Sequence, residues 1–359
     1  MKTKLVYVLT CTPEGSFIEQ ALIAIWSARY HNPDACIVLL TDDKTNSLLV
    51  GSRGELLNYV SEKIVIPFED ESASMMFRSR WIKTSVRELI HGDFLFIDCD
   101  TVCHYPLKEI DYFDCEIGAV LDSHLEVNEY APSLFETTQK KIEPLGLNLS
   151  ALKYYFSSGV IYVKDTDRTR HFYKLWHRYW LDGLEMGVKI DQPSFAKANI
   201  DTGYLIKRIL DRYNCVIYTQ PDFARSSSIL HFTAYRNPSW LFTSRVYDLI
   251  KAEGIPNWLK PFILNPTETF IPFRYTIYRS TWKELMRHVR RVAYGAKVYG
   301  ENVDSNYSDM RGLTKWQRRA KFFFKRRMFL PGGFCCVVPA WMSTRVFKSH
   351  IPVANICSR

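Results

Sequence analysis

Apolar residues along this chain fall into two alternating rhythms. Leu5–Leu9 is a continuous apolar run with the length and composition of a buried strand. Phe17, Ile18, Ala21, Leu22, Ile25 and Ala28 then recur at helical spacing and stop at Asn32-Pro33, where proline closes the helix. Ile37–Leu40 reads as a second strand running into Thr41-Asp42-Asp43. Ser47–Tyr59 reads as helical and Lys63–Ile66 as a short third strand. A helix over Trp81–Ile90 leads into the apolar strand Phe94–Ile97. Strands alternating with helices predict a mainly parallel sheet with helices on its faces, and such sheets bind ligands at the carboxyl ends of their strands. Thr10, Thr12, Asp42, Asp98 and Asp100 all follow predicted strands.

The pattern changes in the middle third. Ile117–Leu121 and Ser158–Val163 read as strands, His171–Trp180 as an aromatic-rich helix, and Val216–Tyr218 and Ile229–Phe232 as short strands. Mixed strands with long connections predict a subdomain on the same core. From Pro256 onward, Pro261, Pro266 and Pro272 punctuate the chain like a linker. The expected division is therefore 1–255 and 256–359.

Candidate chemistry begins where the Phe94–Ile97 strand meets Asp98-Cys99-Asp100. Alternate residues of a strand point the same way, so both carboxylates can project from one side. Two such groups at the edge of a core repel each other and are costly to desolvate. A divalent cation resolves this, and hard oxygen ligands suit Mg²⁺ or Mn²⁺. Taken alone, the pair fits a solvated turn equally well. Three further motifs follow. Phe156-Ser157-Ser158-Gly159-Val160 is the glycine-bearing start of a strand, where a missing side chain admits a ligand. Asp191-Gln192-Pro193 precedes a helix and also fits a simple N-cap. Ile229–Thr233 delivers His231 from an apolar strand, either as a core residue or as a metal ligand, ahead of the polar turn Arg236-Asn237-Pro238-Ser239-Trp240.

In this order, Asp98-Cys99-Asp100, Ser157-Ser158-Gly159-Val160, Asp191-Gln192 and His231-Phe232-Thr233-Ala234 resemble the GT-A glycosyltransferases. The match is closest to the family 8 type, the galactosyltransferase and glycogenin group, and spans about residues 4–245. The resemblance implies a Rossmann-like nucleotide-sugar transferase fold and a retaining transfer of a hexose, from a UDP-sugar, to a hydroxyl of a glycan or lipid-linked acceptor. It implies Mn²⁺ (or Mg²⁺) held by Asp98, Asp100 and His231, with Asp100 on the diphosphate side and Asp98 also near the ribose or sugar. Thr10 and Thr12 would lie against the nucleoside, and Ser158 and Gly159 would line the donor. A basic residue expected before the helix leading to Asp98 is matched by Arg80, with Arg78 and Lys83 as alternatives. Asp122 and Asp191 would hydrogen-bond the sugar, and Gln192 would lie near the anomeric carbon. An inverting reaction would need a carboxylate base, for which Asp122, Glu126 and Asp191 are candidates. The chain departs from the family at Asn237, where a diphosphate-binding lysine is usual and Arg236 could supply the charge. Ala234 stands in place of a glycine and Ser157 in place of an asparagine.

Charge adds a second theme. Residues 279–359 carry 17 Lys/Arg against 4 Asp/Glu, whereas residues 1–278 carry 30 against 34. The near-neutral body argues against a nucleic-acid groove there. In the tail, Leu313, Trp316, Ala320, Phe323 and Phe324 share a helical face bordered by Lys315, Arg318, Arg319, Lys321, Lys325 and Arg326. A basic amphipathic helix of this kind suits an anionic membrane surface, although it also fits a helix packed on the body. No stretch reaches the roughly 20 apolar residues that span a bilayer, and Leu5–Leu9 is too short for a signal peptide. Nine cysteines without a C-x-x-C pair fit a reducing cytosol. These features predict a cytoplasmic protein, peripheral at the inner face of the membrane, and the glycosyltransferase resemblance implies a role in polysaccharide or lipopolysaccharide biosynthesis. The rival classes are a nucleotidyltransferase and a non-catalytic membrane adaptor. The first is disfavoured because Cys11–Ser16 carries no basic residue to hold a triphosphate, the second because both aspartates and His231 are present.

Overall fold

Strands form where the apolar runs stand, and the helices between them return the chain to the same edge. The computed structural model describes residues 1–217, 221–233 and 239–270, all within the first of the chain's two compact units, Met1–His288. The expected basic appendage, from residue 271 onward, lies outside the described residues, as do Arg236, Asn237 and Ala234. The strands are β1 (Lys4–Leu9), β2 (Ile37–Asp42), β3 (Glu62–Ile66), β4 (Phe94–Ile97), β5 (Thr101–Cys103), β6 (Ile117–Leu121), β7 (Phe156–Val163), β8 (Ile206–Arg208), β9 (Cys215–Val216) and β10 (Ile229–His231). The helices are α1 (Phe17–His31), α2 (Asp43–Ser47), α3 (Met75–Leu89), α4 (Pro132–Ile142), α5 (Asp167–Glu185), α6 (Gln192–Asp201), α7 (Ser244–Glu253) and α8 (Lys260–Leu264).

Seven strands make one sheet in the order β3-β2-β1-β4-β7-β6-β8, and β5-β10-β9 make a second. In the large sheet only β7 runs against its neighbours. The result is the expected mixed, mainly parallel sheet covered by helices. Period-2 geometry divides its side chains between two cores. Leu5, Tyr7 and Leu9 of β1 join Ile37, Leu39, Leu95 and Ile97 on one face, under α1, α7 and α8. Val6 and Val8 join Val38, Leu40, Phe94 and Phe96 on the other, under α3, α5 and α6. Both faces are covered, so β1 and β2 read as unbroken apolar runs rather than alternating ones.

Several boundaries differ from the sequence reading. β2 extends through Asp42, a fully buried residue whose carboxylate caps α2 through the Thr45 N–H and pairs with Arg78. Ser47–Tyr59 is not one helix: α2 stops at Ser47 and a 3₁₀ stretch follows from Gly51, which has φ of 58°. α3 begins at Met75 behind a Ser74 cap, so Arg78 and Arg80 ride on the helix instead of preceding it. β7 starts at Phe156, placing both serines and Gly159 inside the strand. The segment after Pro256, read as a linker, contains α8, and its Leu259 and Ile263 are fully buried in the same core as β1.

Candidate active site

β4 ends at Ile97 and β5 begins at Thr101, so Asp98, Cys99 and Asp100 form the bend by which the chain passes from the large sheet to the small one. The two aspartates are therefore not alternate residues of one strand, as the sequence suggested. They converge because the bend is pinned from both sides. The Asp98 N–H donates to the Gly159 carbonyl (2.9 Å), Thr101 Oγ1 donates to the Asp98 carbonyl (2.8 Å), and the Phe232 N–H donates to the Asp100 carbonyl (2.7 Å). Cys99 turns back toward β1, its thiol against the Val8 carbonyl.

β10 runs antiparallel to β5 and pairs His231 with Thr101, which sets the imidazole beside the bend. His231 Nε2 lies 3.0 Å from Asp100 Oδ1. One ligand atom from each of Asp98, Asp100 and His231 falls within 4.8 Å of the others. Two ligands on one Mg²⁺-sized ion stand at most about 4.2 Å apart, so sub-ångström movements would close the set. These residues could hold a metal ion. The two aspartate side chains keep 27% and 24% of their surface exposed while His231 keeps 8%, giving a buried floor with an open mouth.

Gly159 makes this packing possible. A Cβ at that position would lie 2.4 Å from His231 Cε1, 2.9 Å from His231 Nδ1 and 3.1 Å from Asp98 Oδ2. Sequence reasoning assigned the glycine to ligand approach; the structure sets an imidazole against it.

Positive charge borders the bend. Lys83, only 3% exposed, reaches Asp98 Oδ1 and Asp191 Oδ2, each at 3.2 Å. Arg80 pairs with Asp191 Oδ1 at 2.8 Å, and Ser158 Oγ donates to Asp191 Oδ2 at 2.8 Å. Burial pushes the Asp191 carboxyl up, yet Lys83 and Arg80 outweigh it and hold the group well below the usual carboxylate range. Burial raises the Asp98 carboxyl against the pull of Lys83 and His231. At Asp100 the imidazole overcomes burial and lowers the carboxyl, and Asp100 in turn raises His231. Asp191 sits at the α6 N-cap position, but its side chain makes no cap bond, being committed to the two cations.

Asp122 and Gln192 form a neighbouring group. The Gln192 amide donates to the Phe156 carbonyl at 3.0 Å and also hydrogen-bonds Asp122, whose carboxyl burial raises. Asp122 closes β6 and precedes two residues in left-handed backbone, Ser123 (φ 55°) and His124 (φ 58°). Such conformations cost of order 1–3 kcal/mol each in non-glycine residues and persist only where the surroundings enforce them. Here His124 is anchored by the Val216 N–H, which donates to its Nε2 at 3.1 Å. Thr10 Oγ1 donates to the Met75 carbonyl at the start of α3 (3.2 Å), and the more exposed Thr12 accepts the Gly15 N–H in its own loop (3.1 Å).

No protein-family model and no curated protein matches this chain. Solved structures of similar fold include the galactosyltransferase LgtC in complex with donor and acceptor sugar analogues (15% identity, TM-score 0.46, 72% of this chain and 99% of that one). Mouse xyloside xylosyltransferase 1 is similar at 14% identity and TM-score 0.45, over 66% of this chain and 99% of that one. The glycosyltransferase GlyE of Streptococcus pneumoniae TIGR4 is similar at 16% identity and TM-score 0.43, over 74% and 63%.

One group at the site escaped the sequence reading. Asn214, fully buried, hydrogen-bonds His231. The contact joins residues 17 apart, and Asn214 sits in no recognisable local pattern. Asp42 and Arg78 were each singled out, but not as the buried pair that anchors the start of α3.

Proposed function

We propose that this chain is a metal-dependent glycosyltransferase of the GT-A type, similar to family 8, that moves a hexose from a UDP-sugar to a hydroxyl of a glycan or lipid-linked acceptor. The convergence of Asp98, Asp100 and His231, beside buried Lys83 and partly exposed Arg80, carries this reading. Mn²⁺ or Mg²⁺ bound there would supply Lewis acidity to the leaving diphosphate. Lys83 and Arg80 place preorganised positive charge near the same group, where negative charge grows as the glycosidic bond breaks. Asp191 holds both cations in place, and its engaged, strongly acidic carboxylate is a poor nucleophile. Asp122 and Gln192 face the donor sugar in this reading, Thr10 and Thr12 the nucleoside, and Ser158 and Gly159 the floor beneath the diphosphate. Retention of configuration belongs to the same proposal. The nucleotidyltransferase reading loses ground, because the guanidinium that reaches the β1–α1 loop is already committed. Arg53 binds the Pro13 and Gly15 carbonyls and Glu19.

A screen of UDP-hexoses for Mn²⁺-dependent hydrolysis tests the assignment without an acceptor. The expected result is turnover of at least one UDP-hexose, lost by more than about 100-fold in Asp100→Asn, as for removal of a group acting directly on the leaving charge. Absence of Mn²⁺-dependent UDP binding, or an Asp100→Asn variant with intact binding and turnover, would overturn it. No described helix is long and apolar enough to cross a membrane. The peripheral, inner-face location rests on the basic tail and is part of the proposal.

A further inference from the structure

An imidazole ligates a metal through one nitrogen, and only while that nitrogen is free of a proton. His231 Nε2 faces Asp100, within the candidate ligand set, and Nδ1 faces Asn214 Oδ1 at 2.9 Å. Asn214 is fully buried and immediately precedes β9, whose Val216 pairs with His231 itself. Its amide nitrogen is committed elsewhere, donating to Ser157 Oγ at 3.1 Å, while that hydroxyl also accepts the Gly159 N–H at 3.3 Å. The amide therefore turns its carbonyl oxygen to the ring. A carbonyl oxygen can only accept, so Nδ1 carries a hydrogen; the Asp100 carboxylate also only accepts, so the hydrogen on Nε2 is the one a metal displaces, and the lone pair that ligates is then on Nε2.

We propose that Asn214 is a positioning residue that fixes His231 in the Nδ1–H tautomer and so presents Nε2 to the metal. The proposal rests on the metal reading given above and adds to it the group that prepares the ligand. The ring is held on three sides: by Asn214 at Nδ1, by Asp100 at Nε2, and by the bare Cα of Gly159 against its edge. Without the amide, nothing opposes the alternative tautomer, in which Nε2–H donates to Asp100 and the ring no longer ligates. Partners of this kind on metal-binding histidines change metal affinity by about 10–100-fold when removed.

The test measures Mn²⁺ affinity by titration calorimetry on the full chain, together with ¹⁵N NMR of histidine-labelled protein loaded with diamagnetic Mg²⁺. Asn214→Leu is expected to weaken Mn²⁺ binding by about 10–100-fold, whereas Asn214→Asp, which keeps an acceptor facing Nδ1, retains affinity within about threefold. In a His231→Ala background, Asn214→Leu should cost nothing further, because its effect runs through the ring. The NMR spectrum of the unmutated, Mg²⁺-loaded chain should show the His231 proton on Nδ1, a result independent of how well any variant folds. Wild-type affinity in Asn214→Leu, equal losses in the Leu and Asp variants, or a proton on Nε2 would overturn the proposal while leaving the metal site standing. Failure of the unmutated chain to bind Mn²⁺ at all would instead remove the metal reading, and this inference with it.

Discussion

Gly159→Ala isolates the architecture of the site with a single methyl group. Gly159 does not occupy a left-handed backbone conformation, so alanine meets no backbone strain there and the effect comes from contact alone. The new Cβ would stand 2.4 Å from His231 Cε1, where carbon atoms normally approach to about 3.5 Å, so the ring or the strand must yield by roughly 1 Å. His231 cannot move that far and keep both its 2.9 Å contact to Asn214 and its 3.0 Å contact to Asp100. Displacements of this size cost about 100-fold in rate, and overpacking adds about 1–3 kcal/mol of instability. Gly118→Ala supplies the matched control, since its Cβ would meet Ile209 Cγ2 at 2.7 Å and Cys115 Sγ at 3.1 Å, in β6 of the same sheet. Both variants should lower the urea midpoint, but only Gly159→Ala should weaken Mn²⁺ binding in titration calorimetry and slow UDP-sugar hydrolysis. A Gly159→Ala protein with wild-type Mn²⁺ affinity would refute the packing of His231 against this glycine.

Lys83→Met removes a buried cation shared by Asp98 and Asp191 and leaves those carboxylates short of a partner. Breaking a buried pair from one side costs about 3–5 kcal/mol, to be read from urea unfolding, and a loss below about 1 kcal/mol would contradict the pairing. Asp191 also predicts a pH dependence. Its folded carboxyl is held below the ordinary value of 3.8, so its stabilisation is fully present above that pH and fades as pH falls toward the folded value. Urea midpoints followed from about pH 5 to pH 3 should therefore fall more steeply for wild type than for Asp191→Asn, and parallel curves would contradict the assignment. Truncation after Phe270 should abolish salt-sensitive co-sedimentation with anionic vesicles, while equal binding by the truncated chain would dismiss the basic tail as a membrane contact.

The parts legible in the sequence were those in which burial and apolarity coincide. β1, β4 and β6 stand where their apolar runs stand, and α1 ends at His31, capped by Asn32, just before Pro33. Misreadings gathered where polar side chains are buried because they have partners. α3 seemed to start late because Arg78 does not look like a packing residue, yet it is only 5% exposed and binds Asp42. β7 lost its first two residues for the same reason, since Ser157 interrupts the apolar pattern after Phe156 while Asn214 satisfies its hydroxyl inside the core. Asp98 and Asp100 were singled out by a strand argument that the structure replaces with a bend between two sheets. Hydrophobic patterning thus locates the scaffold and goes silent at the polar core. There each group is buried only because another, distant in sequence, completes its hydrogen bonds. Asn214 is the sharpest case. Its partners Ser157 and His231 lie 57 and 17 residues away, so nothing local distinguishes it from a turn residue before a short strand. Where an apolar sheet carries such unexplained polar residues at its carboxyl edge, they mark the place where chemistry, not packing, selected the side chains.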